Sequence, residues 1–114
     1  MKGLRKDKGV TKVGEGLSND RGVVTAAILD HIKTNGGGYA GWYVGIAQNP
    51  RDSLFKEHKV REDGKWVIRE VSSRDIAQRI EEDFKKLGAK VNSGRGSDDS
   101  KFVYAYKIES YTKQ

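Results

Sequence analysis

The stretch Gly41-Trp42-Tyr43-Val44-Gly45-Ile46-Ala47-Gln48-Asn49-Pro50 constrains the fold more than any other part of the chain. Trp42, Val44 and Ile46 fall on one face and Tyr43, Gly45 and Ala47 on the other, the two-residue period of a β-strand. An Asn-Pro step closes the run. Asn49 suits a helix N-cap, and Pro50 suits the first helical turn, where its missing N–H would have no partner. The pattern predicts a buried strand that turns straight into a helix carrying Leu54, Phe55 and His58. Gly45 leaves space beside Tyr43, so a phenol can project where another backbone comes close.

The flanking sequence supplies the rest of a small domain. Over residues 20–34, Val24, Ala27, Ile28, His31 and Ile32 follow the spacing of a helical apolar stripe, which Asn35 and three glycines end. His31 lies at the edge of that stripe and reads as a partly buried structural histidine. The glycines lack a P-loop lysine and read as a linker. A turn at Asp63-Gly64 leads into a strand over 65–71. Ser72-Ser73 then caps a helix reaching about Leu87, with Ser72 and Asp75 at capping-box spacing, and Gly88 ends it. Ile76, Ala77, Ile80, Phe84 and Leu87 share an arc of roughly 100° on this helix. Glu81 lies just beyond the rim of the arc, where a site carboxylate would sit, although alone it reads as a solvated helix residue. After a polar, glycine-rich loop, Phe102, Tyr104 and Tyr106 alternate along a last strand over 102–108. The order predicts an α+β domain with a small, mainly antiparallel three-stranded sheet packed by about three helices.

At 114 residues there is room for one domain, assigned to 19–114, with 1–18 as a flexible basic arm. The absence of cysteine excludes disulfides and thiolate metal sites. No apolar run is long enough to span a bilayer, and none follows the basic N-terminus as in a signal peptide. An intracellular chain with no membrane partner is expected. Its net charge of +6 sits mainly at the ends: 1–18 holds five basic and two acidic residues, 88–114 five and three. That excess suits a polyanion such as DNA or RNA, and equally an ordinary solvated surface.

Tyr43-Val44-Gly45, the Asn49-Pro50 turn with Leu54 and His58, the Ala77…Ile80-Glu81 helix and Asn92 together resemble the GIY-YIG endonuclease superfamily, over about residues 41–92. Members show a strand ending in Tyr-(Ile/Val)-Gly and a turn often carrying Asn. A helix with an arginine and commonly a histidine follows, then a later helix with a glutamate. This chain departs from the pattern twice. Ser53 stands at or near the arginine position, with Arg51 two residues earlier, and no Gly-Ile-Tyr strand precedes Tyr43. The C-terminal strand fills that missing place if it pairs beside residues 42–47, making Tyr104 or Tyr106 the partner tyrosine.

The resemblance implies a GIY-YIG-like fold and hydrolysis of DNA or RNA phosphodiesters with Mg²⁺ or another divalent cation. Glu81 would be the metal ligand, with Tyr43, His58 and Tyr104 as the other catalytic groups. Arg51, Lys56, Asn92 and Arg95 would contact the nucleic acid, and the tyrosine, imidazole and carboxylate would meet over one basic hollow. Two further readings keep the scaffold without the chemistry: a catalytically silent nucleic-acid-binding or regulatory module of phage type, and a protein-binding inhibitor.

Overall fold

Alternation along the strands decides the layering. The computed structural model describes residues 21–91 and 100–114. Its elements are α1 (Arg21–Thr34), a 3₁₀ turn (Tyr39–Gly41), β1 (Trp42–Ala47), a π-helical segment (Asp52–Glu57), β2 (Trp66–Glu70), α2 (Arg74–Leu87), β3 (Lys90–Val91) and β4 (Phe102–Lys107). On one face of the sheet, Trp42, Val44, Ile46, Val67, Val103 and Ala105 pack beneath Val24, Ile28 and Ile32 of α1 and Ala77, Ile80 and Phe84 of α2. On the other face, Tyr43, Ala47, Ile68, Tyr104 and Tyr106 pack beneath Leu54 and Val60. Fully burying an aliphatic or aromatic side chain stabilises by about 1.5–3 kcal/mol, so the first face is the main source of cohesion.

The sheet has four strands in the order β2-β4-β1-β3 and is mixed, which corrects the expected three-stranded, mainly antiparallel sheet. β4 runs antiparallel to both β1 and β2, whereas β3 lies parallel to β1 through Tyr43↔Lys90 and Val44↔Val91. A two-residue strand shows no alternation in sequence. It forms because Gly88, left-handed at φ 109°, turns the chain at the end of α2 and delivers Lys90 to the free edge of β1. β4 lies beside β1 along its whole length, from Trp42↔Lys107 to Ala47↔Phe102. The place next to the Tyr-Val-Gly strand is therefore held by the C-terminal strand.

Local chemistry fixes the ends. Ser73, not Ser72, caps α2: its Oγ accepts the Ile76 N–H at 3.2 Å. Asn49 Oδ1 accepts the Asp52 N–H at 3.4 Å, the side-chain cap expected of it. The following turn is wider than an α-helix, with the His58 N–H reaching back five residues to the Ser53 carbonyl at 2.9 Å. Arg21 joins α1 to α2 by donating to Asp83 from Nε at 2.8 Å. Among the described residues no helix is long and apolar enough to cross a membrane. The expected basic arm at 1–18 lies outside the described residues, as do Asn92 and Arg95.

Candidate active-site cleft

A cleft of about 430 Å³ opens where β1 runs out into the Gln48-Asn49 turn. Tyr43 of β1, Tyr104 of β4, His58 at the end of the π segment and Glu81 of α2 all line it. Residues scattered over 62 positions of sequence thus share one hollow. Arg51 and Lys56 are not among its lining. The Arg51 guanidinium lies over the Trp66 ring at 5.6 Å, and Lys56 pairs with Asp52 at 3.4 Å.

Gly45 explains how the phenols fit. It faces Tyr104 directly in the ladder, and a Cβ on Gly45 would lie 2.6 Å from both Cζ and the hydroxyl oxygen of Tyr104. The space beside Tyr43 is therefore filled by the Tyr104 ring rather than left open. Tyr43 stacks near-parallel to Tyr106, with centroids 5.2 Å apart, and lies 4.6 Å from the His58 ring.

His58 is buried and held from both sides. Its Nδ1 lies 2.6 Å from the Lys113 carbonyl, and its Nε2 lies 2.9 Å from the Tyr104 hydroxyl. A carbonyl can only accept, so Nδ1 carries the hydrogen, and in the neutral ring Nε2 accepts from Tyr104. The Lys113 N–H in turn donates to the His58 carbonyl at 2.7 Å. Tyr106 donates to Gln114 Oε1 at 3.0 Å, close to His58 Nδ1. Burial, and after it the neighbouring Tyr43 and Tyr106, push the Tyr104 phenol well above its usual range. Burial and Tyr43 do the same to Tyr106. Both hydroxyls therefore stay protonated near neutrality.

Glu81 is 2% exposed, which overturns its reading as a solvated helix residue. The buried positions of α2 are Ala77, Ile80, Glu81 and Phe84, whereas Leu87 is 44% exposed. At 100° per residue the packed arc is rotated by about 40° toward Glu81 from the arc that apolarity alone defines. Carboxylates are seldom buried to this degree, which marks Glu81 as a candidate site residue. Among the described residues no group of three or more histidine and carboxylate side chains is placed to hold a metal. Glu81 offers a hard oxygen at the cleft. One carboxylate fits an ion such as Mg²⁺ when waters and substrate oxygens complete its shell.

The lining is not basic, contrary to expectation: Asp52, Glu57 and Glu81 face a single lysine, Lys113. Ser53, which stands at or near the arginine position of the resemblance, lines the cleft, whereas sequence reasoning missed Ser100, 1% exposed, along with Lys113 and Gln114. Nothing in the polar composition around Ser100, Lys113 and Gln114 signals their place, which the fold alone determines. No protein-family model, curated protein or solved structure matches the chain. Its class, an α+β chain with a four-stranded mixed sheet, is defined by its own structure.

Proposed function

We propose that the chain is a nucleic-acid phosphodiesterase resembling the GIY-YIG endonucleases, dependent on Mg²⁺ or a similar divalent cation. The observation that carries this reading is the Tyr104–His58–Lys113 carbonyl chain, set in one cleft with Tyr43 and Glu81. Hydrolysis requires a water to lose a proton as it attacks phosphorus. Because burial keeps Tyr104 protonated, its phenol is a relay rather than a preformed base. It passes its proton to His58 Nε2 while accepting one from water. The imidazolium that forms is stabilised by the Nδ1–H bond to the Lys113 carbonyl. The same proton can return through Tyr104 to the departing oxygen. Tyr43 orients the water and substrate. Glu81 would hold the cation, which when bound offsets charge on the phosphoryl oxygens.

The uncharged Ser53, at or near the position where the resemblance expects an arginine, favours a second reading, a silent nucleic-acid-binding module. Plasmid and RNA cleavage assays with Mg²⁺ or Mn²⁺ separate the two. Cleavage reduced at least about a hundredfold by Glu81→Ala and clearly slowed by Tyr43→Phe is the expected result. Salt-dependent binding with no cutting across metals and substrates would sink the catalytic reading.

A further inference from the structure

The charge of the cleft is uneven in a way that singles out its C-terminal wall. Among the described residues, those lining the cleft include three acidic ones, Asp52, Glu57 and Glu81, and one basic one, Lys113. Asp52 is engaged by Lys56, whereas Lys113 belongs to none of the ion pairs among the described residues. The π segment supplies Ser53, Asp52 and Glu57 to the cleft and no cation. Among the described lining residues, Lys113 is therefore the one whose charge attracts a phosphodiester.

The backbone of Lys113 is fixed even though its side chain is exposed. Its N–H donates to the His58 carbonyl at 2.7 Å, and its carbonyl accepts from His58 Nδ1 at 2.6 Å. Two bonds to one residue hold its Cα at a set offset from the imidazole. The preceding residue, Thr112, is buried and anchors the turn by donating to the Glu109 carbonyl at 2.9 Å. A flexible, strongly hydrated ammonium is thereby carried on a rigid base.

We propose that Lys113 is the phosphate-contact cation of this cleft, grasping a nonbridging oxygen of a nucleic-acid phosphodiester beside the His58–Tyr104 pair. This rests on the proposed phosphodiester site and names the group that binds its substrate. The backbone clasp fixes the Cα from which that group reaches, and Asp52, Glu57 and Glu81 repel an anion where Lys113 attracts it.

The test uses the full chain and nuclear magnetic resonance titration with short single-stranded DNA, duplex DNA, single-stranded RNA and inorganic phosphate. Lys113→Gln, Lys113→Arg and Lys33→Gln are compared with the unaltered protein. Lys33 lies in the last turn of α1, outside the cleft lining, and carries the same charge change. At least one oligonucleotide should shift the Lys113 and His58 amides. Lys113→Gln should weaken that binding about tenfold, as expected for one charge-assisted hydrogen bond, with Lys113→Arg and Lys33→Gln close to the unaltered protein. Three results overturn the proposal: no shift at Lys113 with any oligonucleotide, shifts with inorganic phosphate alone, or equal losses in Lys113→Gln and Lys33→Gln. Cleavage measured on the same samples keeps the two ideas apart. Full cutting by Lys113→Gln would remove the lysine and leave the phosphodiesterase. Lysine-dependent binding without cutting would do the reverse.

Discussion

The two faces of the sheet each hold one histidine, and the two are treated differently. His31, on α1, meets the edge of Trp42 with ring centroids 5.7 Å apart, on the face filled by aliphatic side chains. Its Nε2 has no hydrogen-bond partner among the described residues. His58, on the tyrosine face, has both nitrogens engaged, one by a carbonyl and one by a phenol. An imidazole that merely fills space can leave a nitrogen unused. One whose tautomer is set from both sides is oriented for proton transfer. The comparison teaches that the doubly held imidazole belongs to the tyrosine face and the space-filling one to the aliphatic face, while Glu81 reaches the cleft from α2 on the aliphatic side.

The largest effect should come from attacking the aliphatic face. Phe84 of α2 is fully buried against the sheet. Phe84→Ala should lower unfolding free energy by about 3–5 kcal/mol, measured by urea denaturation. A loss well under 2 kcal/mol would mean that cohesion is shared by the tyrosine face, and the division would fail.

A smaller effect on stability, with a large one on the site, is expected from Gly45→Ala. The added methyl would have to occupy the position of the Tyr104 ring edge. Overpacking of this kind costs about 1–3 kcal/mol, and the ring must move to relieve it. That motion breaks the 2.9 Å bond to His58. Nitrogen shifts of the His58 ring should lose their single-tautomer pattern, and any cleavage activity should fall with them. A folded Gly45→Ala protein with unchanged ring shifts would show that the close fit is unimportant.

Much of this division is legible in the sequence and part of it is not. Alternation along residues 42–47 and 102–106 assigns each strand residue to its face, because side-chain direction in a strand follows position alone. Helix ends at Gly36-Gly37 and Gly88 are equally readable, since glycine readily adopts the positive φ found there. Glu81 is harder: apolarity defines an arc, but the docking of α2 on the sheet sets its rotation. β3 is too short to have a period. The clasp of Lys113 on His58 joins residues 55 apart through backbone groups, which every residue carries and no sequence pattern marks.

The smallest effect sharpens the contrast between the histidines through acid sensitivity. Burial, and then the nearby Arg69 charge, lower the His31 pKa below its ordinary value of 6.5, with Asp30 opposing. The unfolded chain therefore binds a proton at pH values where folded His31 does not. Its contribution to stability is intact above pH 6.5 and is lost as pH falls from there through the lower folded value. The Asp83 carboxylate is lowered by its hydrogen bond to Arg21, so its contribution persists until pH drops below the usual carboxylate value of 3.8. The two windows do not overlap at pH 5–6.5. Urea midpoints measured across that interval should decline less for His31→Gln than for the unaltered protein, whereas Asp83→Asn should leave the decline in place. Equal declines in all three proteins would show that the aliphatic face tolerates a charged imidazole, and the two histidines would then differ in hydrogen bonding alone.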